Sequence, residues 1–315
     1  MKYKLAVALA AALASSLFVT AAGKAADDSA VTIAVGVDPA FAPFFVADAQ
    51  GLFKKYGLNV QIQQHANAGV AADALVARTV DVAGVPDFNL LIRAPRVPLK
   101  ALGVYVQDVG NYVKVVSSKE VSTAKDVKRI GVVPGTFSEY AAARFVQAYQ
   151  LDPASIQTIN AGPPEMPQLL ASKAMDAFIL WEPWPTRAVQ QGGKVLMPIR
   201  EFNLSYVLIV STRPDWLQAH PQQAKALMQA VSDATTFVKE HPAEAAAITK
   251  KAAQIPEPLT ELAVNQLQFG TREVSDEDRA HFNEMLDFLV AKKIITARPA
   301  LNELIVQGYA PATGR

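Results

Sequence analysis

The chain has no cysteine. Its 315 residues therefore hold no disulfide, no thiolate nucleophile, and no cysteine-ligated zinc or iron–sulfur centre. A lipid anchor on a cysteine is excluded in the same way. Histidine is scarce too: there are 4, scattered without metal-ligand spacing, and His220 and His241 each precede a proline at an expected helix boundary. Neither sign of charge is in surplus. Lysine plus arginine total 30 against 29 acidic residues, a net charge of +1, so no nucleic-acid surface is expected. No metal and no cofactor is expected either.

Long apolar runs are missing after the first twenty residues or so, and a membrane-crossing helix needs about 20. The N-terminal run is shorter than it looks. Met1-Lys2-Tyr3-Lys4 is basic, Leu5 to Thr20 is apolar and small, and small residues follow at Ala22 and Ala25. That order reads as a secretory signal peptide over residues 1–25. The expectation is an exported, soluble protein. About 290 residues would remain, long for one hydrophobic core and comfortable for two.

From Val31 onward the chain alternates between strand and helix patterns. Val31 to Val37 (VTIAVGV) reads as a buried strand ended by Asp38-Pro39. Phe45 to Tyr56 has helical spacing, with Gly57 placed as its C-terminal cap. Strands are expected at 58–63, 80–85, 100–106 and 112–117, with a helix at 70–78. The pattern then restarts: strand 130–133, the turn Pro134-Gly135-Thr136, helix 138–149, strand 156–159, helix 166–174 and strand 177–180. Alternation of this kind implies parallel pairing. After strand 206–210 the chain reads as almost all helix. Leu227, Met228, Val231, Ala234, Phe237 and Val238 form one apolar stripe, and Phe282, Met285, Leu286, Leu289 and Val290 another.

An internal echo divides the chain. Leu75-Val76-Ala77-Arg78-Thr79-Val80-Asp81-Val82 matches Leu170-Ala171-Ser172-Lys173-Ala174-Met175-Asp176-Ala177. Six residues beyond each aspartate stands another acid, Asp87 and Glu182. Two similar lobes are expected, each with an acid beyond a strand's C-terminal end, where open α/β sheets bind ligands.

Asp38-Pro39, the run Gly51-Leu52-Phe53-Lys54-Lys55-Tyr56-Gly57-Leu58, Gly135-Thr136-Phe137-Ser138 and Trp181-Glu182-Pro183 together resemble one family. It is the periplasmic binding proteins of ABC importers for taurine, alkanesulfonates, nitrate and thiamine-pyrimidine precursors. The resemblance covers Val31 to Ala291. It implies an α/β, type II periplasmic binding protein-like fold, with two lobes joined by two crossing segments and the ligand cleft between them. Lobe 1 would be residues 31–115 and 210–315, lobe 2 residues 116–209, and the crossings near 112–117 and 206–212. Its implied partners are a small-molecule solute and a membrane permease with its ATPase subunits. One departure is the turn Val127-Lys128-Arg129-Ile130, which lacks the family's usual glycine.

The candidate ligand-binding residues are Asp38, Phe41, Phe44, Asp87, Phe88, Asn89, Gly135, Thr136, Phe137, Ser138, Trp181 and Glu182. Gly135 to Ser138 open a helix whose free N–H groups could hold an anion, although Ser138 could equally cap its own helix. Trp181 could stack on an organic solute and Glu182 pair with a cationic group; Trp184 is expected in the core. Asp38 before a proline is also ordinary turn chemistry. A cleft of acids and aromatic rings suits a zwitterion or a neutral to cationic ring better than nitrate. A sulfonate such as taurine is the first expectation and a pyrimidine or other aromatic solute the alternative. Arg93, Arg96, Arg144 and Arg187 are weaker candidates for gripping a carboxylate or sulfonate. Catalysis is not expected: the pyrimidine-synthase relatives carry a cysteine-rich motif that this chain lacks. A sensing module would call for an output domain, and the sequence pattern gives no sign of one.

Overall fold

The computed structural model describes residues 30–311, and the expected signal segment lies outside the described residues. Val31–Gly36 (β1) is the expected β-branched strand, covered on both faces as the middle strand of parallel neighbours must be. The other strands are Val60–His65 (β2), Val82–Pro86 (β3), Lys100–Asp108 (β4), Val113–Ser117 (β5), Arg129–Val132 (β6), Gln157–Asn160 (β7), Ala177–Trp181 (β8), Lys194–Pro198 (β9), Tyr206–Thr212 (β10) and Leu267–Arg272 (β11). They form two sheets, ordered β11-β4-β10-β3-β1-β2 and β7-β6-β8-β5-β9.

The pairing is mixed, which corrects the expectation of parallel sheets. β1 runs parallel to β2 and β3, and β6 to β7 and β8. β10 is antiparallel to β3 and β4, β11 to β4, and β5 to β8 and β9. Only strands linked by a crossover helix are forced parallel; β5 and β10 enter their sheets from the other lobe. β9 and β11, unforeseen in the sequence, are edge strands: β9 is half-exposed along its length, and β11 alternates buried with more exposed residues. The helix expected over 45–56 is two, Ala42–Ala49 and Leu52–Lys55, interrupted at Gly51.

The echo has a structural meaning. Asp81 accepts the Thr32 N–H at the start of β1 (2.9 Å), and Asp176 accepts the Lys128 and Arg129 N–H groups at the start of β6 (2.9 and 2.7 Å). Arg78 and Lys173, three residues earlier, both adopt the left-handed conformation, at φ 63 and 60. Each aspartate thus pins the N-terminal end of the strand that its own strand pairs with.

The chain passes between the sheets at residues 109–112 and 199–205, a few residues from the crossings expected. β5 belongs wholly to the second sheet, and β10 wholly to the first. Asp108 builds the first crossing: Oδ1 accepts the N–H groups of Gly110, Asn111 and Tyr112, and Oδ2 that of Val113. The Arg200 N–H, bonded to Gly110 O at 3.1 Å, stitches the second crossing to the first. Gly110 sits at φ 92, and a Cβ there would lie 2.7 Å from Arg200 N, so only glycine fits.

Both expected apolar stripes are helical. Leu227, Met228, Val231, Ala234 and Val238 are buried in Pro221–Glu240. Phe282, Met285, Leu286 and Leu289 are buried in Asp276–Ala291, whereas Val290 faces solvent at 41% exposure. Phe44, fully buried, meets Tyr105 edge-on at 5.1 Å. Burying a ring of that size stabilises the fold by about 1.5–3 kcal/mol.

Candidate functional site

The C-terminal ends of β1, β3 and β8 converge where the two sheets face each other. There the helix Phe137–Ala148 begins, and a pocket lies between the lobes. Six expected residues line it: Asp38, Phe41, Asn89, Thr136, Phe137 and Trp181. β10 adds Tyr206 and Leu208, and Ala40, Ala68 and Pro86 complete the wall. The lobes are shut tightly over it. Its volume is about 20 Å³, about one water's room. An aromatic seam holds the lobes together beside it, with Phe137 4.7 Å from Tyr206 and Phe88 stacked 5.8 Å from Tyr140.

Asp38 is buried. Its Oδ1 accepts the Ala40 N–H at 2.9 Å, which caps the short turn Pro39–Phe41, and lies 3.0 Å from the Tyr112 hydroxyl. Burial pushes its carboxyl up to about 7, against the lowering pull of these two bonds. Asn89, also buried, reaches across the cleft: its Nδ2 donates to Gly135 O at 3.1 Å. Its Oδ1 is buried without a partner.

Part of the expected anion cradle is engaged by its own helix. Thr136 Oγ1 caps the helix, accepting the Ser138 N–H at 3.3 Å and donating to Val133 O at 2.8 Å. The Gly135 N–H goes to Glu139 Oε2 at 3.0 Å. Ser138 is fully buried below, donating to Ile179 O and accepting from Val133 N. Capping accounts for these groups.

Phe44, Asp87, Phe88, Gly135, Ser138 and Glu182 are not brought to the pocket wall. Phe44 is lobe core, and Phe88 belongs to the aromatic seam. Asp87 accepts the N–H groups of Phe88 (2.7 Å) and of Val207 in β10 (3.1 Å), and burial raises it to about 8. Glu182 lies 2.6 Å from the Lys114 ammonium and accepts the Thr186 N–H at 3.1 Å. Both acids bind their own chain. Trp184 is half-buried against the second sheet's smaller cluster, with the Arg187 guanidinium 4.8 Å from its ring centre. Arg93 holds Asp73 at 2.7 Å and the Asn89 and Gly69 carbonyl oxygens. Arg144 bonds Tyr140 and reaches Glu284 at 3.5 Å, and Arg96 is exposed. None of the four lines the pocket.

Two tyrosines escape the sequence reading: Tyr206 in the pocket wall, and Tyr112, which bonds the wall's Asp38. The sequence pattern marks Tyr206 as the start of a strand and of the second crossing, and Tyr112 as part of the first. Nothing local marks a tyrosine whose hydroxyl meets a partner 70 residues or more away.

Residues 24–255 match the NMT1-like family. The chain belongs to that family. Among curated relatives, a Haemophilus influenzae protein named for thiamine biosynthesis is 23% identical over 282 residues, covering 86% of this chain and 89% of that one. The nitrate/nitrite binding protein NrtA of Synechocystis is 25% identical over 230 residues, but the match spans 61% of this chain and only 50% of NrtA. In fold, this NMT1-like chain is similar to the periplasmic aliphatic sulphonate binding protein SsuA of Escherichia coli. The TM-score is 0.76 at 16% identity, over 87% of this chain and 96% of SsuA. The architecture is the periplasmic binding protein fold, which is also that of a Staphylococcus aureus ligand binding component of an ABC-type import system, at a TM-score of 0.75 and 13% identity over 88% of this chain and 96% of that one.

Proposed function

We propose that the chain is the solute-binding component of an ABC importer, and that it encloses a small organic solute between its lobes. The observation that carries this reading is the pocket itself. It lies at the strand ends where open α/β sheets take ligands, and both lobes contribute its wall: Asp38, Phe41 and Asn89 from one, Thr136, Phe137 and Trp181 from the other. A solute held there stabilises the closed arrangement by touching both sides.

At about 20 Å³ the pocket is far below the roughly 300 Å³ of a typical ligand site. Entry therefore requires the lobes to part. The two crossings, stitched at Gly110 and Arg200, are the natural hinge, and hinge closure around ligand is a known transition of periplasmic binding proteins. The exported location rests on the N-terminal pattern and on the relatives' kind. The partners are a permease and its ATPase subunits, and the binding unit is a monomer. Binding rather than catalysis is favoured by the absence of cysteine and by carboxylates engaged with their own backbone.

The sulfonate or taurine reading draws on the likeness to SsuA and on the helix N-terminus at Thr136. The aromatic or heterocyclic reading draws on Phe41, Phe137 and Trp181 in the pocket wall. A thermal-shift screen of sulfonates, amino acids, pyrimidines, aromatic acids and nitrate tests the function. A true solute at a hundredfold excess over its Kd adds about 2.7 kcal/mol of stability. A panel without any shift would count against solute capture.

A further inference from the structure

We propose that this pocket selects a small, flat solute by the hydrogen-bond donors it presents to Asp38 and Asn89: an amidinium or a guanidinium, and not an oxyanion. The proposal rests on the solute-capture reading and names its ligand class.

Asn89 supplies the first acceptor. Its orientation is fixed by chemistry, because Gly135 O accepts only, and so the amide must turn its NH₂ that way (3.1 Å). Oδ1 is thereby left buried and unpaired in a residue that is 1% exposed and lines the pocket. Buried carbonyl oxygens nearly always have a donor, and an N–H of the solute is the group that would supply it.

Asp38 supplies the second. Both of its protein bonds end on Oδ1, from Ala40 N and the Tyr112 hydroxyl. Oδ2 remains for a donor or a cation. Both acceptors thus stand in one wall, with the rings of Phe41, Phe137 and Trp181 around them. Flat, delocalised cations suit aromatic surroundings of this kind.

The same wall disfavours an anion. Among the described residues, no lysine, arginine or histidine lines the pocket. The basic residues that could turn toward it are engaged: Lys114 by Glu182 at 2.6 Å, and Arg93 by Asp73, Gly69 O and Asn89 O. The helix N–H groups of Gly135 and Ser138 are taken by Glu139 and Thr136. A sulfonate would lose its water to meet a carboxyl and an unpaired carbonyl oxygen, with no counter-charge.

The test compares head groups on one ring: benzamidine, benzoate and benzenesulfonate, titrated by calorimetry into the purified chain. Benzamidine is expected to bind at least tenfold tighter than either anion. Asp38→Asn should weaken it at least tenfold while keeping the wild-type circular dichroism and a cooperative melt; if that variant does not fold, the wild-type comparison still decides. Either anion matching or exceeding benzamidine overturns the class while leaving solute capture intact. Failure of all three to bind also overturns it. In that case a hit in the broader thermal screen preserves solute capture, and a flat screen removes both.

Discussion

The Tyr112 hydroxyl lies 3.0 Å from Asp38 Oδ1 and 2.9 Å from the Glu182 carbonyl oxygen. One phenolic proton therefore stands between a carboxyl of the first lobe and a backbone carbonyl of the second, on the residue that ends the first crossing. Burial holds the Tyr112 phenol well above its ordinary titration range, so the proton stays. Tyr112→Phe removes this tie and leaves a buried acceptor unpaired, at a cost of about 1–3 kcal/mol. Urea unfolding should show that loss, and scattering should show a more open chain. An unchanged midpoint and radius of gyration would contradict the bridging role.

Asp38 and Asp87 titrate near 7 and near 8 when folded, against an ordinary 3.8, chiefly because burial penalises their charge. Between about pH 4 and these values the folded chain keeps protons that the unfolded chain has lost. The stability linked to each group is therefore fully present below about pH 4 and is lost as pH rises through 7 and 8. The slope is at most about 1.4 kcal/mol per pH unit for each group. Asp38→Asn should flatten the decline between pH 5 and 7. Urea midpoints that fall in parallel for the two proteins would refute this.

Ligand affinity should carry the opposite sign for a permanently cationic solute. Tyr105, Tyr112, Tyr206, Asp87, Asp108 and Glu182 are titratable groups electrostatically tied to Asp38 or to its tyrosine neighbours, and burial keeps the three phenols neutral. Of the carboxyls only Asp38 lines the pocket among the described residues, so its ionisation is the change a bound cation feels most directly. Benzamidine affinity should rise from pH 5.5 to 7.5 and level off above, and Asp38→Asn should abolish the rise. A flat calorimetric profile for the wild type would exclude a direct pairing.

Lys114 and Glu182 are nearly enclosed, at 12% and 2% side-chain exposure. Lys114→Met strands a buried carboxylate and should cost about 3–5 kcal/mol. Adding Glu182→Gln should restore most of it, because no unpaired charge then remains. Additive losses in the double variant would show the pair to be uncoupled.

The echo gives a matched pair of tests and shows how far the sequence could be read. Asp81→Ala releases the Thr32 N–H and hydroxyl and Asp176→Ala the Lys128 and Arg129 N–H groups at a strand start, and each should cost about 1–3 kcal/mol by chemical denaturation. One variant remaining at wild-type stability would break the equivalence. The repeat itself was legible because it is local: a helix end, a left-handed residue and an aspartate, all within eight positions. The buried β-branched strands and the helical stripes were legible for the same reason. β9 and β11 were not: β9 is half-exposed along its length and lacks a strong period, and β11 is one short alternation set among helical patterns. Strand direction was misread because β5 and β10 arrive from the other lobe, a matter of topology rather than pattern. In the pocket, Asp38, Asn89 and Trp181 could be picked out as residues following strands. Asp87 and Glu182 satisfy the same rule, yet they turn toward Val207 and Lys114, partners 120 and 68 residues away.

The absence of cysteine makes the central claim directly measurable. Val70→Cys in the first lobe and Val189→Cys in the second, both exposed positions at 44% and 43%, accept spin labels on an otherwise label-free chain. Electron–electron resonance would then read the inter-lobe distance with and without the solute found in the thermal screen. Capture between hinged lobes predicts a broad distribution that narrows and shifts when solute is added. An identical distribution at saturating solute would contradict it.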